Sequence, residues 1–345
     1  MSLARAIETG DLAELPSRRD EDWRWTDLRG LLRVLPPPSK ATEDAAPAGP
    51  FAGLAQTEVL IVNGRGERRL VIAPGERRIM ALRIIAAANA GAHASRLEID
   101  IGADAQLTLL ESYEGQSSDY VVETDLVFEL RKGGALERVV LAQDAASAVS
   151  VSRAQVSMSP GSSLWQTVAT FGAKRQRLET QVRNPGGGAS VRLDGIYLLN
   201  GQRHADITTI VAHTGVGGVT DQLVKGVVDG QARGVFQGRI VVSPGADRTD
   251  ARMGHHALVL SDRAEVDAKP ELEIYADDVA CTHGNTVGAL DEEALFYAGS
   301  RGIPEREARA MLIEAFVVEA IDRIGHEGAR ERIRALSAEH LKGSS

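Results

Sequence analysis

Four phrases decide the fold: residues 102–111 (GADAQLTLLE), 132–141 (KGGALERVVL), 159–168 (SPGSSLWQTV) and 186–195 (GGGASVRLDG). Each begins with a small or Gly-containing turn, passes through one small residue and enters an alternating stretch. Alternation of apolar and polar side chains buries one face of a β-strand, and it is clear in 124–130 (TDLVFEL) and 190–197 (SVRLDGIY). Outward from these phrases, similar short runs begin near residue 56, with 59–64 (VLIVNG) and 70–75 (LVIAPG). They continue through 97–101, 107–110, 120–130, 135–141, 148–158, 164–171, 178–182, 190–199, 205–212, 222–228, 232–242, 256–260 and 271–275. Gly, Asp, Asn or Ser mark most breaks, as in 184–188 (NPGGG) and 200–201 (NG). The turn spacing reads as near ten residues. The body is therefore mainly β, and a sandwich, a propeller and a parallel β-helix compete. The propeller lacks a blade-length repeat with a Trp-Asp signature. Stacked coils would leave weak self-similarity of this kind, but pattern alone leaves sandwich and β-helix both open.

The flanks differ. Residues 1–34 read as helical: Leu3, Ala6 and Ile7 make a short apolar face, and Thr26 and Asp27 are placed to cap a turn into Leu28, Leu31 and Leu32. Trp23 and Trp25, set among charges, read as pins holding this segment to the body, with a stack against a ligand as the alternative. Residues 35–53 (LPPPSKATEDAAPAGPFAG) are an extended strap or linker, because three consecutive prolines cannot join a packed element. After about 290 the chain turns helical. Asp291 stands at an N-cap position and Pro304 at a first helical position. Ala308, Met311, Leu312, Ala315, Phe316, Ala320 and Ile324 recur at helical steps as one apolar face. The last residues, 342–345, are expected to fray. The divisions are thus 1–55 (N-terminal helical segment and Pro-rich linker), 56–290 (β body, with 56–75 as accessory strands) and 291–345 (C-terminal helical domain).

The chain of 345 residues carries a formal charge of -9, which argues against nucleic-acid binding, a function that needs clustered Lys and Arg. Its basic stretches are short: Arg18-Arg19 runs at once into Asp20, Glu21 and Asp22, and reads as a solvated surface. The single cysteine, Cys281, precludes an intramolecular disulfide. The opening MSLARAIETGDLAELP has no apolar core of signal-peptide length, and no window approaches the roughly 18 apolar residues of a membrane span. A cytoplasmic chain without membrane association is expected.

No strong catalytic constellation is present. Gly-rich turns lack the Lys-Ser/Thr of a phosphate loop, and there is no His-Glu-x-x-His, Cys-x-x-Cys or serine nucleophile elbow. The suggestive stretch is 277–284 (DDVACTHG), where Cys281 and His283, two apart, would project from one face of a strand. Thiolate and imidazole suit iron or zinc, but two ligands do not close a site, and a structural Cys beside a hydrogen-bonded His is the commoner arrangement. Of His255-His256, at most one could share a face with His283, and His204 and His213 read as strand-face residues. Asp277 and Asp278, being sequential, make a poor pair for hydrolysis on a strand.

The long run 264–297 (AEVDAKPELEIYADDVACTHGNTVGALDEEALFY), followed by Ser300-Arg301-Gly302, resembles the SufB/SufD family of iron–sulfur cluster assembly scaffolds. Residues 222–242 (QLVKGVVDGQARGVFQGRIVV) resemble its preceding coils, and 16–28 (PSRRDEDWRWTDL) resembles the opening motif of its SufD branch. The resemblance implies a right-handed parallel β-helix flanked by N- and C-terminal helical segments, and a non-catalytic scaffold with no permanently bound cofactor. It implies a SufB-like partner chain met through the last coils and a nascent, transient iron–sulfur cluster at that interface. There His283 is the candidate ligand and Cys281 the weaker one. It also implies a SufC-type ABC ATPase docked on roughly 300–324, for which Arg301, Gly302, Pro304, Met311, Leu312 and Phe316 are the candidate contacts. A homodimer of the isolated chain is compatible with it. Two departures stand out. Arg252-Met253-Gly254-His255-His256 replaces a polar Gln-x-Asn-x-Asn-type stretch, and 73–97 is short, which suggests a trimmed helical element. The alternatives are a purely structural β-helix dimer with no metal role and, less favoured, a β-helix hydrolase or lyase.

Overall fold

The computed structural model describes residues 1–42 and 46–343. Among these, the strands alternate between two sheets, one of ten strands and one of eight. Neighbours within each sheet are parallel, apart from a small antiparallel hairpin of Thr57–Val62 with Arg65–Gly66. This is a parallel β-solenoid, the β-helix rather than the sandwich. The four phrases that open the reading are successive rungs of one sheet, with Gln106, Ala135, Ser163 and Ser190 in register. The true repeat is therefore about 30 residues, two strands and two turns per coil, not ten.

One turn position explains the recurring glycines. Asp104, Gly133, Gly161, Gly188, Gly217 and Arg248 occupy the corresponding corner of successive coils, and all have φ between 57° and 81°. Glycine enters that left-handed region without a Cβ penalty, and Asp is among the few other residues that tolerate it.

Inside the coils, side chains stack in ladders. Leu97, Leu126 and Ala154 come from one sheet, and Leu109, Arg138, Gln166, Leu193, Gln222 and Met253 from the other. The polar members are paired: Arg138 donates to Glu111 at 2.6 and 2.7 Å, and Gln166 bonds Thr180 at 3.0 Å. Tyr197 is fully buried in the space where Cβ atoms of Gly226 and Gly234 would stand, 1.9 and 2.4 Å from its ring. Gly226→Ala is therefore expected to cost about 1–3 kcal/mol by overpacking, measured as a lower denaturation midpoint with an unchanged m-value.

One sequence expectation changes here. Arg77–Ala86, absent from the strand reading, is a full strand. Thr57–Val62 and Arg69–Ile72 pair in parallel with the next coil and begin the ladder. The N-terminal segment is a set of short turns of helix (Leu3–Thr9, Leu12–Glu14, Glu21–Trp23, Leu28–Leu31) lying on the outer face of the eight-stranded sheet. Asp27 caps the last of them through Gly30, whereas the Thr26 hydroxyl reaches Asp206 at 2.5 Å. The Pro-rich strap bridges Pro38 to Ala92, and the Ser39 hydroxyl meets His93 at 2.7 Å.

The C-terminal helices Glu292–Ser300, Glu305–Ile321 and Glu327–Gly343 follow the solenoid, the last two covering the outer face of the ten-stranded sheet. The last helix includes Lys342 and Gly343, while the rest of the stretch expected to fray, 344–345, lies outside the described residues. The buried stripe is Ala308, Ile313, Val317, Ala320, Ile321 and Ile324, so the apolar face read from the sequence is rotated. Met311 is 51% exposed and Ala315 is exposed, while Leu312 and Phe316 pack only at the edge, Phe316 under the Lys225 ammonium at 4.6 Å.

Candidate functional site at the open end of the solenoid

Both sheets end on the last coil. Glu265–Ile274 is the edge of the eight-stranded sheet and Val279–Gly288 the edge of the ten-stranded one. An edge strand presents unpaired N–H and C=O groups and is a template for another chain. Register fixes which side chains face the bore. Cys281, His283, Asn285 and Val287 continue the ladders of Ala251, Met253, His255 and Ala257. Those four partners are buried, while His283, Asn285 and Val287 are exposed and Cys281 is half-buried against the core. These are inward positions that no further rung covers among the described residues. Ile274 (42% exposed), Tyr275 (60%) and Val287 (49%) add apolar surface at this end.

Cys281 and His283 thus share a face, as their spacing requires. Burial, and then the Asp250 carboxylate, push the Cys281 thiol above its ordinary range, with an opposing pull from a hydrogen bond to Ala251 backbone. In the lone chain it is a protonated thiol, and a metal would have to displace its proton. Among the described residues no three His, Cys, Asp or Glu side chains converge as a metal site. Asp277 and Asp278 sit exposed in the turn between the last two strands, not on a strand.

His255, unlike His256, shares the inward face with His283, yet both its nitrogens are engaged. Nδ1 meets the Asn285 Oδ1 at 2.7 Å and Nε2 meets the Tyr197 hydroxyl at 2.9 Å. Its ring stacks on Phe236 with centroids 4.7 Å apart. It therefore walls the site rather than ligating. Burial lowers its pKa to about 4, against a smaller upward pull from Asn285. The unfolded chain takes up the proton near 6.5 while the folded one refuses it until about 4. The neutral ring's contribution, roughly 3 kcal/mol, is thus complete above pH 6.5 and lost as the pH falls through 4. Its imidazole resonances are expected to titrate near pH 4 by NMR; a midpoint above 6 would contradict the wall described here. The support of His255 by Asn285 and Tyr197 was not read from sequence, although the shared parity of 253, 255, 257 with 283, 285, 287 carries the signal.

The family model described as SUF system FeS cluster assembly, SufBD core domain, matches residues 83–316, more than half of the chain and the whole of this last coil. The chain belongs to the SufB/SufD family. It is 36% identical over 169 residues to iron-sulfur cluster assembly protein SufD of Escherichia coli, covering 49% of this chain and 40% of that protein. It is 29% identical over 248 residues to a SufBD family protein of Synechocystis, covering 69% of this chain and 55% of that one. Against these two, the chain matches only about two-fifths and about half of the relative's length. A SufBD family protein of Mycobacterium leprae is 28% identical over 361 residues, covering 94% of this chain and 90% of the relative. Among the described residues of this SufD-like chain, no helix is long and apolar enough to cross a membrane.

Proposed function

We propose that this chain is a non-catalytic, cytoplasmic scaffold subunit of a SUF iron–sulfur assembly complex. Its last coil pairs with a SufB-like chain, and a nascent cluster is built as cargo at that seam, with His283 as a ligand and Cys281 behind it. Its C-terminal helices dock a SufC-type ABC ATPase. The observation that carries this reading is the bare final rung: inward-facing His283 and Cys281 lie on an unpaired edge flanked by exposed Ile274, Tyr275 and Val287. An incomplete ligand set at an open edge makes chemical sense where a partner supplies the remainder. Support for the docking of an ATPase comes from Arg301, Gly302, Pro304 and Met311, all exposed, with Arg301 stacked 5.1 Å from the exposed Tyr297 ring, and from Leu312 and Phe316 at the margin of the buried face.

The test is co-expression with a SufB-like chain and a SufC-type ATPase, with affinity purification. A complex of all three is expected. An Ile274→Asp/Val287→Asp variant places two charges in the apolar seam and should weaken retention of the SufB-like chain by at least about thirtyfold while keeping the ATPase. Unchanged retention of both would overturn the assignment of the last coil, and self-association lost in the same variant would point to a homodimer through that edge.

A further inference from the structure

The run of Arg18 and Arg19 before Asp20, Glu21 and Asp22 looks self-neutralised, but the fold pulls its charges apart. Glu21 pairs with Lys269 at 2.7 Å, Asp22 with Arg239 at 2.9 Å, and Asp20 accepts from the Ser17 backbone at 2.8 Å. The two arginines instead join Arg29, Arg33 and Arg175 around a cavity of about 630 Å³, in which Asp27 is the single acidic lining residue among the described residues. Among the described residues, the side chains of Arg18, Arg19, Arg33 and Arg175 make no hydrogen bond or ion pair, and the Nε of Arg175 is buried without a partner. Arg29 gives Nε to the Leu15 carbonyl and one terminal nitrogen to the Ala13 carbonyl, and among the described residues no carboxylate pairs with it. Burial and the nearby Arg233 guanidinium lower the pKa of Arg175, as befits a cation held in a positive environment. Five guanidiniums gathered at one cavity in a chain of net charge -9 are a costly arrangement unless an anion shares it.

We propose that this cavity binds a small phosphate-bearing polyanion of the pyrophosphate class, with Arg175 at its floor and Arg18, Arg19 and Arg33 closing over it. Guanidinium forks match phosphate oxygens in pairs. The lining charge, five cations against Asp27, suits three to four negative charges rather than one. Among the described residues no aromatic side chain lines the cavity, so recognition falls on phosphate groups rather than on a base. Its volume lies within the range of small-molecule sites.

Calorimetric titration of the full chain with sodium pyrophosphate tests this, with inorganic phosphate and ADP as further probes. Saturable one-to-one pyrophosphate binding is expected, tighter than inorganic phosphate. Arg175→Gln and the exposed double variant Arg18→Ala/Arg33→Ala should each weaken it by roughly tenfold or more. Arg96→Ala, an exposed arginine paired with Glu98 at 3.4 Å, should leave it unchanged. ADP matching pyrophosphate would make the ligand a nucleotide's diphosphate, and pyrophosphate exceeding ADP would make it the free anion; either supports the site. No saturable binding, or equal weakening by Arg96→Ala, would reduce the cluster to solvated basic surface and overturn the proposal.

Discussion

Replacing Arg177 with alanine is expected to destabilise the chain by about 3–5 kcal/mol and to free its N-terminal segment. Arg177 is buried on the outer face of the eight-stranded sheet. It donates to Glu179 at 2.7 and 2.9 Å, to Asp206 at 2.9 Å and to the Asp22 carbonyl at 2.6 Å. The Trp23 ring lies 4.5 Å from its guanidinium. Asp206 also accepts from Thr26 and Thr208, at 2.5 and 2.7 Å. Truncation would strand two carboxylates, one of them fully buried, and remove the cation under Trp23. A surviving buried charge costs more than the lost pair contributes, so Arg177→Met combined with Asp206→Asn should recover part of the loss. Denaturant titration reads the stability, and limited proteolysis after Arg18 or Arg19 reads the release. An alanine variant as stable as the parent would show that the N-terminal segment is held by its apolar contacts alone.

That clasp was partly legible. Tryptophans among charges marked an attachment, but Arg177 and Asp206 lie some 150 residues or more away in sequence and nothing local announces them. The coils were legible for a specific reason: one left-handed corner per turn favours Gly, and the following strand alternates. Arg77–Ala86 escaped because it is buried on both faces. Met80, Leu82 and Ile84 line the bore, while Ala81, Arg83 and Ile85 are covered from outside, so no alternation survives. The helix Glu305–Ile321 carries two overlapping apolar stripes. The choice of Ile313 and Val317 over Met311 and Ala315 was made by the sheet beneath, not by periodicity. At the site, period two correctly placed Cys281 and His283 together, but that theirs is the last, uncovered rung follows only from counting coils.

Replacing His283 with alanine is expected to lower the iron and acid-labile sulfide of the assembled complex by at least about tenfold while leaving assembly intact. The imidazole is exposed and makes no hydrogen bond among the described residues, so its removal leaves no cavity and orphans no buried group. Stability should shift by no more than about 0.5 kcal/mol. Its neighbours cannot substitute for it. Both nitrogens of His255 are committed to Asn285 and Tyr197, and Cys281 is held as a thiol by burial and by Asp250. Cys281→Ser should therefore cost less than His283→Ala, and His283→Cys, which returns a soft ligand to the exposed position, should recover part of the metal content. The ordering separates a ligand from a merely structural edge residue, because an edge role would track retention of the SufB-like chain rather than metal. A His283→Ala complex that assembles and still fills with iron and sulfide would leave this chain as a passive wall of the seam, with every ligand supplied from the other side.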